Sequence, residues 1–196
     1  MKLREELLQM IAEDDSVWAR LAADGSVFDG YHPAMEEVHN RNADRLEQLL
    51  EDGWPAVARV GEDGADAAFR IAQHAISRPD FQRRCRELLQ AAVVAGDADP
   101  KQLAMLTDRI RCFEGRGQLY GTQFEWDDEG YLSPRPISDP EDVDLRRASV
   151  GLGPLAEAIA HQRQRAVTCG ARPPGNPAEH RAEYEKWRRR VGWSFS

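Results

Sequence analysis

Four polar segments sit beside apolar stripes, and their residue types are those that move protons and hold anions. The first is Ala72-Gln73-His74-Ala75. At helical spacing His74 shares a stripe with Ala67 and Ile71, which puts it at the edge of the apolar face. Burial there lowers an imidazole's pKa and a neighbouring carboxylate raises it, so the ring is suited to act as general base or acid. The second is Thr107-Asp108-Arg109. Successive helix residues do not face each other, so each needs a partner elsewhere. Asp108 is expected to orient His74 from another helix, and Arg109 to hold a carboxylate or phosphate by its planar fork. The third is Gln118-Leu119-Tyr120-Gly121-Thr122-Gln123. Tyr120 is suited to meet a reacting oxygen. Gln73, Gln118, Thr122 and Gln123 are suited to bind polar substrate groups, with Gly121 marking a bulge or a close backbone approach. The fourth runs from Asp139 to Arg147. Asp139-Pro140-Glu141-Asp142 starts a helix by capping and by its charge at the macrodipole's positive end, whereas Arg147 lies beyond that duty and can reach an anion.

Each segment also has a plainer structural reading. His74 can hydrogen-bond a carbonyl near Pro79, and Asp108 and Arg109 can join an ion-pair network between helices. The ribbon after Gly117 can be a hairpin that packs aromatic residues on helices.

Positioning these groups falls to a mainly α fold: a compact bundle of about seven helices with a short β-hairpin near 118–132. Leu3, Leu7, Leu8 and Ile11 give a helix over 3–13, followed by a turn-rich stretch over 24–30. Pro33 opens a helix that Gly53 closes. Ala68, Ile71, Ala72 and Ala75 face the core from a helix over 63–77. Further helices are expected over 80–95 and 100–114, from Pro140, and over 154–165. Tyr120, Thr122, Phe124 and Trp126 alternate as in a strand, with Tyr131-Leu132 as its return. Residues 1–165 form one helical domain on this reading, 166–177 a Pro/Gly-rich linker, and 178–196 a basic amphipathic segment.

Composition narrows the classes. Lys and Arg number 26 against 34 Asp and Glu, for a net charge of −8. Such a chain is no general nucleic-acid binder, whose affinity rests on neutralising phosphates. Residues 161–196 reverse the sign, with eight Lys/Arg against three Asp/Glu. No run of about 18 apolar residues occurs, so no membrane span is expected, and the opening MKLREELLQM has no export-leader pattern. A cytoplasmic location follows as an expectation. Cys85, Cys112 and Cys169 make neither a disulfide framework nor a CxxC pair. HExxH, GxSxG, SxxK and phosphate-loop spacings do not occur, and no local His or Cys pair has zinc-ligand spacing, so neither a metal nor a cofactor is expected.

Gly53-Trp54-Pro55, VGEDGADAAFRIAQHA at 60–75, LTDRI at 106–110, GQLYGTQ at 117–123 and PISDPEDVDLRRASVGLGPL at 136–155 follow one another in the order that resembles a family of bacterial proteins known as a domain of unknown function. The resemblance covers about residues 36–160. It implies that the first thirty residues and the tail after 165 are additions, and it brings no activity, cofactor or catalytic residue.

The resulting expectation is a small metal-independent enzyme, a hydrolase or lyase, that acts by proton transfer on a small polar or peptide-like substrate. Its chemistry would be hydrolysis, elimination or cyclisation. His74 is the base or acid, Asp108 its orienter and Tyr120 the partner of the reacting oxygen. Gln73, Arg109, Gln118, Thr122, Gln123 and Arg147 bind substrate. The alternative is a non-catalytic interaction, regulatory or immunity-like module. A homodimer fits either one.

Overall fold

The computed structural model describes residues 2–28 and 30–193; Asp29 of the expected turn and the last three residues of the expected tail segment lie outside them. Among the described residues it is mainly helical, with eight α-helices and one two-stranded antiparallel hairpin. Among the described residues no helix is long and apolar enough to cross a membrane. The chain forms two compact units, Met1–Gln102 and Leu103–Ser196.

The first unit is built on α1 (Leu3–Asp24), α2 (Pro33–Leu49) and α3 (Val57–His74), which pack on one another, with α4 (Pro79–Val94) against α3. Helix α1 runs eleven residues past the expected end at 13. Its buried stripe is Leu7, Met10, Ile11, Asp14 and Leu21, a helical period that passes through an acid rather than stopping at it. Leu21 packs with Met35 and Val38 of α2, flanked by Val17, Val27, Tyr31 and Ala34. Pro33 at the first turn and His32, whose Nδ1 accepts the Ala34 amide at 3.1 Å, start α2. Helix α3 contributes Ala65, Ala67, Ala68, Ile71 and Ala72 to the interior. These small side chains let neighbouring backbones approach. A Cβ at Gly64 would meet the Val60 side chain at 2.9 Å. Gly61, at φ +74°, breaks the helical path near the start of α3. The helix ends at His74 rather than 77, which leaves Ser77 in the turn before α4. Gln82 of α4, fully buried, donates to the carbonyls of Ala72 (2.7 Å) and Gln73 (3.1 Å) and so satisfies α3's last turn.

Helix α5 (Pro100–Phe113) begins just before the boundary and carries Leu106, Asp108, Ile110 and Phe113 into the second unit. The expected strand over 118–126 is shorter: β1 (Phe124–Trp126) pairs with β2 (Leu132–Pro134), and residues 118–123 are a loop. Gly121 at φ +66° turns that loop, and a Cβ there would meet Leu155 at 2.7 Å, so the position has no room for a side chain. Helices α6 (Val143–Ser149), α7 (Leu155–Thr168) and α8 (Pro177–Arg190) complete the unit. The basic segment is docked through aromatic faces. Phe113 stacks on Tyr184 and Trp193 and meets Trp187, and buried Arg188 donates to the Phe113 carbonyl at 2.6 Å.

The 118–123 loop is held from both sides by side chains. Asp108 accepts the amides of Leu119 (2.6 Å), Tyr120 (3.1 Å) and Thr122 (3.1 Å), and the Thr122 hydroxyl at 3.0 Å. Arg146 donates to the Leu119 carbonyl at 2.7 Å, and Arg147 to those of Tyr120 and Gly153, both at 2.6 Å. Gln118, fully buried, closes the loop on itself: its Oε1 accepts the Gln123 amide at 2.9 Å, and its Nε2 donates to the carbonyls of Gln123 and Arg135. All of these bonds except that of the Thr122 hydroxyl join a side chain to backbone, while Gln118 and Gln123 at the loop ends also bond the 135–138 backbone directly.

Two expectations follow. Asp108→Ala strands three loop amides away from water, so unit stability should fall by about 2–3 kcal/mol. Hydrogen exchange at Leu119, Tyr120 and Thr122 should accelerate together, and unchanged protection would refute the clasp. In the hairpin turn, Asp127 accepts the Ser133 hydroxyl at 2.7 Å and the amides of Tyr131 and Glu129. The Ser133 bond first, then the Tyr131 amide, holds its carboxyl below the ordinary carboxylate value. A lowered carboxyl stabilises the fold above the ordinary value and ceases to do so as pH falls through the lowered one. Amide protection at Tyr131 should therefore fade on acidification in that range, and in Asp127→Ala should be absent at neutral pH.

Candidate functional site

Three helices each bring one ionisable side chain to a common point in the first unit. Asp14 comes from the buried stripe of α1, His39 from the second turn of α2 and His74 from the last position of α3. The Asp14 side chain is 3% exposed, His39 9% and His74 33%, so the cluster runs from the core outward to solvent. His74 Nδ1 lies 2.7 Å from Asp14 Oδ2, and His39 Nε2 lies 3.3 Å from Asp14 Oδ1. The two imidazole rings stand tilted with centroids 5.0 Å apart. One donor atom from each of the three residues lies within 4.8 Å of the others.

Further hydrogen bonds lead away from His39. Its Nδ1 meets the Tyr31 hydroxyl at 2.8 Å, and the rings of Tyr31 and His39 stack. Tyr31 is also hydrogen-bonded to Ser77, whose hydroxyl donates to Glu36 Oε1 at 2.6 Å. Burial pushes the Tyr31 hydroxyl well above its usual range, so it keeps its proton. Burial alone would also raise Asp14. The hydrogen bonds and charges of His39 and His74 outweigh it and hold the carboxyl below the usual carboxylate range.

The arrangement has the chemistry of an oriented imidazole. Asp14 accepts the Nδ1 proton of His74, which fixes the tautomer and leaves Nε2 with its lone pair on the more exposed side chain of the three. A buried carboxylate shared by two imidazoles is costly unless both remain paired to it.

Of the sequence-predicted residues, His74 stands in this cluster and Gln73 beside it, buried, with its carbonyl taken by Gln82. The carboxylate on His74 is that of Asp14. Asp108, Tyr120, Gln118, Thr122, Gln123, Arg109 and Arg147 belong to the second unit. There Asp108 is fully buried, and burial outweighs its donors and raises its carboxyl. Tyr120 gives its amide to Asp108 and its carbonyl to Arg147. Gln123 donates from its side chain to the Thr122 hydroxyl at 3.1 Å. Arg109 is half-buried, and desolvation pushes its guanidinium down to about 10.

Sequence reasoning missed Asp14, His39 and Tyr31. The signal for Asp14 is present: it sits at i+3 from Ile11 and i+4 from Met10, where only an apolar or well-partnered residue fits. His39 follows Met35 and Val38 on the buried face of α2 in the same way.

Neither a search of curated proteins nor one of solved structures finds a match. One protein-family model does match, over residues 1–166. It takes in the whole of α1, so the first thirty residues, expected to be an addition, lie within the family's domain, while α8 falls beyond it. On that match the chain belongs to the family of unknown function DUF6624.

Proposed function

We propose that the first unit is an acid–base catalyst for a small polar or peptide-like substrate, working by hydrolysis, elimination or cyclisation, with His74 as the group that takes and returns the proton. One observation carries the reading: a core-buried carboxylate 2.7 Å from Nδ1 of an imidazole whose side chain is one-third exposed. Asp14 acts as the positioning residue. It holds the ring and stabilises the imidazolium that forms when Nε2 accepts a proton. His39, bonded to the other carboxylate oxygen, keeps Asp14 from rotating away.

The hydrolase and lyase readings differ only in what the proton leaves: a water for hydrolysis, a carbon or heteroatom of the substrate for elimination or cyclisation. A non-catalytic interaction module would use the same cluster as a registry lock between α1, α2 and α3, and would give no turnover.

The test uses chelator-treated full-length protein screened by mass spectrometry against small esters, amides, lactones and dipeptides. Turnover of one such class is expected, and His74→Ala should lower it by about a hundredfold or more, the usual share of general acid–base catalysis. Because His74 lies at the cluster's outer edge, that variant should keep the wild-type circular dichroism. Equal rates from wild type and His74→Ala sink the proposal.

A further inference from the structure

Behind the cluster Ser77 donates to Glu36 Oε1 at 2.6 Å, and the Tyr31 hydroxyl lies 2.8 Å from His39 Nδ1. When Nε2 of His39 binds a cation, Nδ1 carries the ring proton and the Tyr31 oxygen is placed to accept it. Nε2 itself faces Asp14 Oδ1 at 3.3 Å.

The spacing identifies what fits. A charge-assisted N–H···O bond is about 2.7–2.9 Å long. Two ligand atoms each about 2.0–2.1 Å from a tetrahedral zinc ion stand about 3.3 Å apart. The third donor, His74 Nδ1, is 2.7 Å from the other oxygen of the same carboxylate, and one ligand atom from each of the three residues lies within 4.8 Å of the other two. Two imidazoles and one carboxylate suit a borderline divalent transition ion rather than magnesium or calcium, which want oxygen shells. Tyr31 on His39 Nδ1 is the outer partner that a metal-ligating histidine requires. The site lies at the C-terminal end of α3, where the helix dipole favours positive charge.

We infer that Asp14, His39 and His74 form a binding site for a zinc-type divalent transition-metal ion. The inference rests on the reading that this cluster is the unit's functional centre, and it adds a second state to it. A bound ion takes His74 Nδ1 as a ligand, displaces its proton and leaves Nε2 as N–H. The loaded protein therefore has no imidazole base at position 74.

Chelator-stripped full-length protein is titrated with Zn²⁺ by calorimetry and with Co²⁺ by visible absorption. One ion per chain is expected, with cobalt bands that Zn²⁺ removes. His74→Ala, checked for wild-type circular dichroism, should weaken Zn²⁺ at least about tenfold, and Tyr31→Phe by about 10–100-fold as an outer-shell loss. Asp14→Asn and His39→Ala should abolish it, but the variant at one-third-exposed His74 decides the matter if either fails to fold. No saturable binding, or binding unchanged in folded His74→Ala, overturns the inference. Either result together with His74-dependent turnover leaves the acid–base proposal standing. One-to-one binding lost in His74→Ala, together with turnover indifferent to that substitution, keeps the metal and removes the base.

Discussion

A carboxylate in an apolar helix interface has to be answered by partners, and Asp14 imposes that requirement on three helices at once. Moving an unpaired ionised group out of water costs far more than one domain's net stability allows. Helix α1 can therefore bury its stripe only in the register that brings His39 and His74 to Asp14. The other polar ties across these helices are weaker constraints. Glu6–Arg45 and Glu13–Arg41 link α1 to α2, and Arg4–Asp63 and Asp15–Arg70 link it to α3, but all involve exposed groups. Exposed pairs of this kind contribute little. The buried amide of Asn42, donating to the Met10 carbonyl at 3.0 Å, shares the interior with the cluster.

The second unit answers the same electrostatic demand in another way. Asp108 is as buried as Asp14, yet its partners are backbone amides and a threonine hydroxyl. Those donors only donate. Asp14's partners are imidazole nitrogens, each of which can either carry a proton or present a lone pair. One carboxylate thus fixes a loop and the other fixes groups that can exchange a proton. That difference in donors, rather than burial or hydrogen-bond number, separates a structural clasp from a candidate reactive centre.

The same difference explains what the sequence discloses. Apolar periodicity and Pro/Gly punctuation place the helices well. Helix α5 was expected over 100–114 and is Pro100–Phe113, and Pro79 and Pro33 open helices as their chemistry demands. Periodicity fails at Asp14 because a charged residue reads as the end of an apolar stripe, and what keeps it inside comes from residues twenty-five and sixty positions away. The Asp108 and GQLYGTQ segments are correctly legible as a dense polar network. What stays hidden is the direction of each bond. Alternation of side chains cannot report that Gly121 turns the ribbon out of an extended path, nor that Asp108 serves backbone amides instead of a histidine.

The location of His74 then follows from packing rather than from chance. The alanine-rich face of α3 needs no large side chain until the helix ends, and the chain turns there through Ala75 to Ser77 into α4. Gln82 has already taken up the carbonyls of Ala72 and Gln73, so the helix terminus needs nothing from the imidazole. His74 is left with one nitrogen on a buried acid and the other on the side that water reaches. A histidine one turn earlier would have faced the core with Ala67, Ala68 and Ile71, all nearly inaccessible. Ending the helix at residue 74 is what gives a core carboxylate an outlet to solvent through a single ring.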